Sequence, residues 1–466
     1  MSTWAIAMRN LLRNRRRSMA TLLSLAIGAA AILIFGGFSA NIEYSMLTGY
    51  VRSGGHLQIQ HRDFFLYGNG NPTAYGIADY QRLGDALRVD AVLKPLVTVV
   101  TPILQFGGIA GNYDAGVSRT VVGTGFVPQD VNSMRQWNEH AVEMKAVRFA
   151  LDGAPPDAAV VGLGVARVLL LCEALAVANC PRPDSSAAAL DAAALPDDVA
   201  LLAAETAPAG AKASKRPGAR IELLAGQTRG APNVTALQVL AAEDQGFKEL
   251  DEVAVVVSLK QAQALVYGKG TPRATGIMVQ LQHTGDVAKA AARIQQLLAT
   301  LAPGQALTVL DFQALNPFYV QTINLFNMIF GFIFVLIGGI VLFTVSNTMT
   351  AAVVERTVEV GTLRAIGLRQ SGIRRLFLIE GFMLGCLGAV TGTLLALLVG
   401  AVTNHLGLTW QPPGGSELLP LTLRVWGETP MLLGTLFGLI AIGSLSAWWP
   451  AYQAAGLKIV DALRHT

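Results

Sequence analysis

"VVERTVEVGTLRAIGLRQSGIRRLFLIEG", residues 353–381, places three glutamates and five arginines, Arg356, Arg364, Arg369, Arg374 and Arg375, between two of the most apolar runs of the chain. About 20 apolar residues, at 1.5 Å rise each, cross a hydrocarbon core about 30 Å thick, and both flanking runs reach that length. The charged stretch therefore reads as a connection between two membrane spans. Working outward, four such runs emerge: Met19 to Ala40, Phe326 to Thr348, Phe377 to Val402 and Pro430 to Trp449. The whole composition agrees, since 466 residues with 52% hydrophobic and 14% charged side chains and a mean hydropathy of +0.46 are too apolar for a string of soluble domains.

Arginine bias gives the expected orientation. The amino-terminal tail carries Arg9, Arg13, Arg15, Arg16 and Arg17, and the 353–376 connection carries five more, whereas the loop at 403–429 has only Arg424. Positive residues favour the cytoplasmic side, so both termini are expected inside and the segment after the first span outside. The first apolar run is longer than the core of a cleavable leader and has Phe38 where a small residue would precede a cut, so it reads as a retained anchor. The net charge of +4 mostly records these arginines and gives no reason to expect nucleic-acid binding.

The expected fold is an α-helical membrane protein with four transmembrane helices and a large α+β extracytoplasmic domain inserted between helices 1 and 2. Its parts are a cytoplasmic basic segment (1–18), helix 1 and stalk (19–49), the periplasmic domain (50–317), stalk and helix 2 (318–352), a cytoplasmic coupling helix (353–376), helix 3 (377–402), a periplasmic loop (403–429), helix 4 (430–449) and a cytoplasmic tail (450–466).

In the large segment, β-rich runs at 54–60, 95–106, 119–126, 234–242, 252–259 and 275–282 read as strands. Helical patterns at 79–89, 165–177, 259–268 and 286–301 alternate with them. Two lobes are expected, divided by a flexible Ala/Pro-rich insertion at 180–219 that offers few large side chains to bury. Cys172 and Cys180 are a candidate disulfide in an oxidising compartment, with two unpaired thiols as the alternative; bonding requires the helix to stop before Cys180.

Enzyme chemistry finds no support. Six scattered histidines have no partners at metal-ligand spacing, and the sequence has no GxSxG elbow. The only Gly-Lys pair, Gly268-Lys269, is followed by glycine, so there is no Walker A loop, and any ATPase is expected on another chain. The spans carry almost no ionisable residues, which argues against an ion-coupled carrier. Glu380, near the start of the third, reads as a boundary residue reaching to the interface. Glycines at four-residue intervals, Gly381, Gly385, Gly388 and Gly392 in the third span and Gly434 and Gly438 in the fourth, suit close helix packing.

Within the opening stretch, "ERTVEVGTLRAIG" reads as a short helix with Val358, Leu363 and Ile366 among charges and Gly367 as a left-handed cap. Such a helix suits a groove on a partner protein. Lipid headgroups would explain its arginines but not Glu355 and Glu359.

The stretch 355–385, together with "AIAMRNLLRNRRRSMATLLSLAIGAA" (5–30) followed by "GGHLQIQ", and "PAYQAAGLKIVDALRH" (450–465), resembles the FtsX-like, MacB-like family of ABC-transporter permeases, and in appearance most of all its lipoprotein-releasing LolC/LolE branch. The resemblance implies a bacterial inner-membrane permease working beside a second copy, identical or paralogous, and a cytoplasmic ABC ATPase that binds ATP and Mg; this chain would hold no cofactor or metal and have no catalytic residue. It implies ATPase coupling through Glu355, Arg356, Glu359, Gly361, Leu363, Arg364, Ala365 and Gly367, and mechanical transmission to the periplasmic domain. Expected partners also include the lipid bilayer and further periplasmic or outer-membrane components. The cargo implied is a lipoprotein, lipid or other amphiphile. Alternatives are periplasmic drug or peptide efflux, mechanical control of a cell-wall hydrolase and, from another class, a membrane-anchored receptor.

Overall fold

The computed structural model describes residues 3–13, 15–177, 219–227, 231–246, 248–410 and 419–458. The chain divides into two compact units, Met1–Met46 with Pro317–Trp410 and Leu419–Thr466, and Leu47–Asn316 with Gln411–Leu418. The principal helices, in chain order, are α1 (Thr3–Arg13), α2 (Arg15–Gly54), α3 (Tyr80–Val89), α4 (Pro128–Arg135), α5 (Leu163–Val168), α6 (Leu259–Tyr267), α7 (Val287–Leu301), α8 (Pro317–Glu355), α9 (Thr357–Ala365), α10 (Gln370–Leu406), α11 (Thr429–Ser446) and α12 (Trp448–Gly456). The strands of the second unit are β1 (Leu57–His61), β2 (Val97–Asn112), β3 (Val117–Phe126), β4 (Ala158–Gly162), β5 (Arg220–Ala225), β6 (Asn233–Glu243), β7 (Ala254–Ser258), β8 (Gly276–Leu281) and β9 (Leu307–Asp311) among the described residues.

In the first unit, α2, α8, α10 and the run Thr429–Gly456 are long and apolar enough to cross a membrane. Their shared core joins Leu25 and Ala29 of α2, Val341, Val345 and Met349 of α8, Leu384 and Ala389 of α10, and Leu439 of α11. Small residues set the spacing. A Cβ on Gly381 would collide with Ala447, one on Gly385 would lie 3.2 Å from the Ile440 backbone, and one on Gly388 or Gly392 would strike Leu25 or Ala29. One glycine-lined face of α10 thus meets α11 through its first half and α2 through its second. Gly438 packs closely against α8, its Cβ position 3.3 Å from the Phe334 ring, whereas Gly434 meets nothing within 4 Å among the described residues. Gly443 is the counterpart sequence reading missed, with Gly385 Cα 3.0 Å from its Cβ position.

The second unit is built on β2. Its first half, Val97–Ile103, pairs antiparallel with β8, and β8, β1 and β9 continue an open antiparallel sheet. Its second half pairs with β3 on one side and β5 on the other. From β3 the sheet runs through β7, β4 and β6 back to β5, closing a ring of six strands. Closure leaves those strands without an open edge. Within the ring, the Phe106 ring lies over Gly123, its cross-strand partner, where a side chain on Gly123 could not fit. Helices α3 and α7 bury Leu83, Leu87, Ile294 and Leu298 in the core that the two sheets share.

The insertion at 180–219 expected to divide two lobes falls almost wholly outside the described residues; among the described residues, β2 pairs in both the open sheet and the ring. Residues 178–218, and with them Cys180, lie outside the described residues, so the candidate Cys172–Cys180 pairing is not described. The expected helix at 165–177 ends at Val168. Leu170 takes a positive φ of 54°, and Leu169 and Leu171 are buried in a turn. An apolar run without polar interruptions carries no period that separates a buried turn from a helix.

At the start of β1 the second unit encloses a neutral polar centre. The His56 Nδ1 accepts the Leu281 N–H at 3.0 Å, its Nε2 faces Thr284 Oγ1 at 3.3 Å, and its ring stands edge-on to Trp137. Gln280 Nε2 donates to the Val51 and Met134 carbonyls. Burial pushes the His56 pKa down to about 4 against the opposing charge of Glu139, so the ring is neutral at physiological pH.

Candidate functional site: the connection between α8 and α10

Helix α8 ends at Glu355, and Arg356, at φ −105° and ψ 18°, turns the chain into α9. The short helix expected over 355–367 is α9, with Glu355 left at the end of α8. After Ala365 and Ile366, Gly367 adopts φ +104°, its N–H meets the Arg364 carbonyl, and the Leu368 N–H returns to Leu363 at 3.0 Å. This closes the helix end with a left-handed residue that favours glycine.

Arg356 and Glu380 form a buried ion pair at 3.0 Å, their side chains only 7% and 3% exposed. Glu380 is thus no boundary residue reaching for the interface. Asn10 Nδ2 donates to its carboxylate at 2.6 Å, and Arg356 Nη2 donates to the Asn10 carbonyl at 3.2 Å. Buried charges are tolerated when paired and further hydrogen-bonded, and here α1, α9's first turn and α10 each supply a member. Arg356 Nε has no partner among the described residues. Beside it lies a cavity of about 20 Å³ bordered by Arg17, Ser18 and Thr348, room for one water.

The glutamates of the connection are answered from the amino terminus. Arg13 pairs with Glu359 at 2.5 Å, and Arg17 holds Glu355, with Nη1 2.8 Å from Oε2. The mixed charge that pointed to a protein partner is therefore balanced within the chain. Asn10, Arg13 and Arg17 recur at helical spacing, a signal in the sequence that was not exploited. Helix α1 is seated by Ala7 and Ile6 against Leu376, Ile379 and Met383 of α10, with Trp4 edge-on to Phe382.

The remaining residues named from sequence separate by position. Gly361 is buried, beside Val360; Leu363 packs against the cluster of Val353, Ile373, Phe377 and Ala454; and Arg364 donates to the Leu457 carbonyl. Glu355, Glu359, Ala365 and Gly367 are exposed. Arg356 is turned inward, so it can brace a docking surface but cannot touch a partner. The exposed apolar residues of the connection are Val354, Val358, Ile366 and Leu368, with Ile366 80% accessible. Among the described residues no group of three His, Cys, Asp or Glu side chains could hold a metal.

Residues 315–459, which contain α8 to α12 and this braced connection, match the FtsX-like permease C-terminal family. It is similar to the macrolide export ATP-binding/permease protein MacB of Sodalis glossinidius, 29% identical over 238 residues covering 50% of this chain and 34% of that protein. It is also similar to the pyoverdine export ATP-binding/permease protein PvdT of Pseudomonas entomophila, 32% identical over 231 residues covering 48% of this chain and 32% of that protein. The chain spans about a third of the length of these relatives. A comparison of structures returns the periplasmic region of MacB from Actinobacillus actinomycetemcomitans, at 11% identity and a TM-score of 0.32, covering 57% of this chain and 94% of that one.

Proposed function

We propose that the protein is the membrane subunit of an ABC export system of the MacB/FtsX type, in the bacterial inner membrane with both termini cytoplasmic. A cytoplasmic ATPase docks on α9 and drives motion of the outside domain, working with a second permease copy. The observation that carries this reading is the α8–α10 connection, within the permease-family match, where a buried ion pair braces a helix whose solvent side offers an apolar ridge. A rigidly held apolar ridge loses little freedom when a partner covers it. The coupling face is formed by Val354, Val358 and Ile366 with Glu355, Glu359 and Ala365, while Arg356, Gly361, Leu363, Arg364 and Gly367 fix its shape. The export names of the relatives favour a small amphiphile as cargo over a lipoprotein.

The test is affinity purification of the detergent-extracted chain with mass spectrometry. The wild type is expected to bring down an ABC ATPase, and Val358→Asp with Ile366→Asp, both exposed, to lose it at an unchanged melting temperature. Failure to recover any ATPase with the wild type, in mild detergent with nucleotide present, would overturn the reading. Vesicle assays comparing a small amphiphile with a triacylated lipoprotein then separate the cargo classes.

A further inference from the structure

Within the second unit lies a cleft of about 1010 Å³ that the coupling site does not use. Its lining comes from helix α3, the start of α6, the Phe126–Asp130 segment and Val100 and Ile277 of the open sheet. It is large enough for a drug-sized ligand.

Gly84 points to the cleft's purpose. It sits inside α3, where glycine weakens a helix. Exposed helical glycines such as Gly434 border open space, but Gly84 is buried, and buried helical glycines such as Gly381, Gly388 and Gly392 admit a close neighbour. At Gly84 that reason does not apply: a Cβ would find no atom nearer than 3.8 Å, those being Arg88 Nη1 and Val100 Cγ1. Both belong to cleft-lining residues, so a longer side chain at this position would grow into the cleft. The glycine keeps space that the protein itself does not fill.

The lining gives the ligand's chemistry. Its ionisable residues are balanced, Asp85 and Asp130 against Arg88 and Lys260. Arg88 is already engaged, with Nη1 on Asp85 at 2.8 Å and Nη2 on the Val100 carbonyl. The other polar groups include the carboxamides of Gln81, Gln129 and Gln261; Gln81 and Gln261 each donate to a protein hydroxyl, Tyr80 and Thr235, and their remaining capacity with that of Gln129 matches amide or ester groups. Pro102, Pro128, Pro155, Pro156 and Pro272 stiffen the walls, so little freedom is lost on binding. We propose that this cleft binds a neutral, drug-sized amphiphile carrying amide or ester groups, and that Gly84 keeps it open. The proposal concerns binding by this chain alone and stands independently of any ATPase partner.

The test uses the full chain in nanodiscs, titrated by fluorescence anisotropy with a dansyl-capped, amidated pentapeptide of leucine and alanine. The wild type should bind it saturably, above the signal of empty nanodiscs. Gly84→Leu should weaken binding by about tenfold or more, whereas Gly84→Ala, too short to fill the cleft, should stay within about threefold. A variant peptide carrying two lysines should bind the wild type about tenfold more weakly. Should Gly84→Leu lower the melting temperature, Gln129→Trp, at an exposed lining residue of another segment, must give the same loss. Absence of saturable binding to the wild type, or undiminished binding by the cleft-filling variants, overturns the proposal.

Discussion

Each unit has a buried polar centre beside the end of a long helix, but the two are built on opposite principles. At the end of α8, Arg356 and Glu380 keep full charges and hold them by mutual attraction and by Asn10. Just past the end of α2, His56 is neutral and is held because its ring nitrogen takes a backbone N–H that would otherwise be unpaired. The ionic centre can direct three elements at once but fails if either member is removed, since the survivor is left as an unpaired buried charge. The neutral centre tolerates burial at no ionic cost but fails when a proton turns its acceptor into a donor.

The largest expected effect tests the ionic half of this comparison. Arg356→Met or Glu380→Leu alone should destabilise the protein by about 3–5 kcal/mol, and the double variant should recover most of that loss. Unfolding in mild detergent measures it, and strictly additive losses would break the contrast by showing that the two side chains do not act as a pair.

Acid tests the neutral half. A histidine whose folded pKa is depressed binds fewer protons folded than unfolded, so stability is complete above about 6.5 and falls as pH drops from there toward about 4. A shift from 6.5 to about 4 corresponds to roughly 3 kcal/mol. Burial raises the nearby Glu139 carboxyl, but hydrogen bonds from Thr284 and His283 outweigh this and hold its pKa below the usual value, so its contribution is lost at still lower pH. His56→Asn, whose Oδ1 can accept the Leu281 N–H, should remove most of the loss between pH 6.5 and 4. An unchanged pH profile in that variant would assign the acid sensitivity elsewhere.

A smaller effect sharpens what surrounds the ionic centre. Gly392→Ala should cost about 1–3 kcal/mol because its methyl would strike the α2 backbone, where Ala26 O lies 2.5 Å from the Cβ position. Gly434→Ala meets no atom within 4 Å and should cost nothing or stabilise slightly. Equal effects at both sites in the unfolding assay would mean that helix propensity, not interhelical contact, governs these glycines.

The sequence made some elements legible and hid others for identifiable reasons. All six strands read from β-rich runs are present, because their apolar residues alternate or cluster between turn residues. Strands β4, β5 and β9 were missed; "AAVVG" of β4 is buried at every position and shows no period. At the connection, Gly367 was legible because a helix end that needs positive φ has few solutions. The inward turn of Arg356 and the burial of Glu380 were not, because each depends on the other across 24 residues and on Asn10 beyond them.

Sequence by itself determined four apolar helices of spanning length, the charged connection between the second and third, and the glycine spacing along α10. These follow from local properties, hydropathy summed over a helix and backbone preference at single residues. Only the tertiary structure decided which charges are spent inside the protein and which apolar residues face out, that β2 serves both sheets, and that Gly84 borders unfilled space while Gly392 borders a helix. Those outcomes depend on what lies opposite each residue, and residues far apart in the chain supply it.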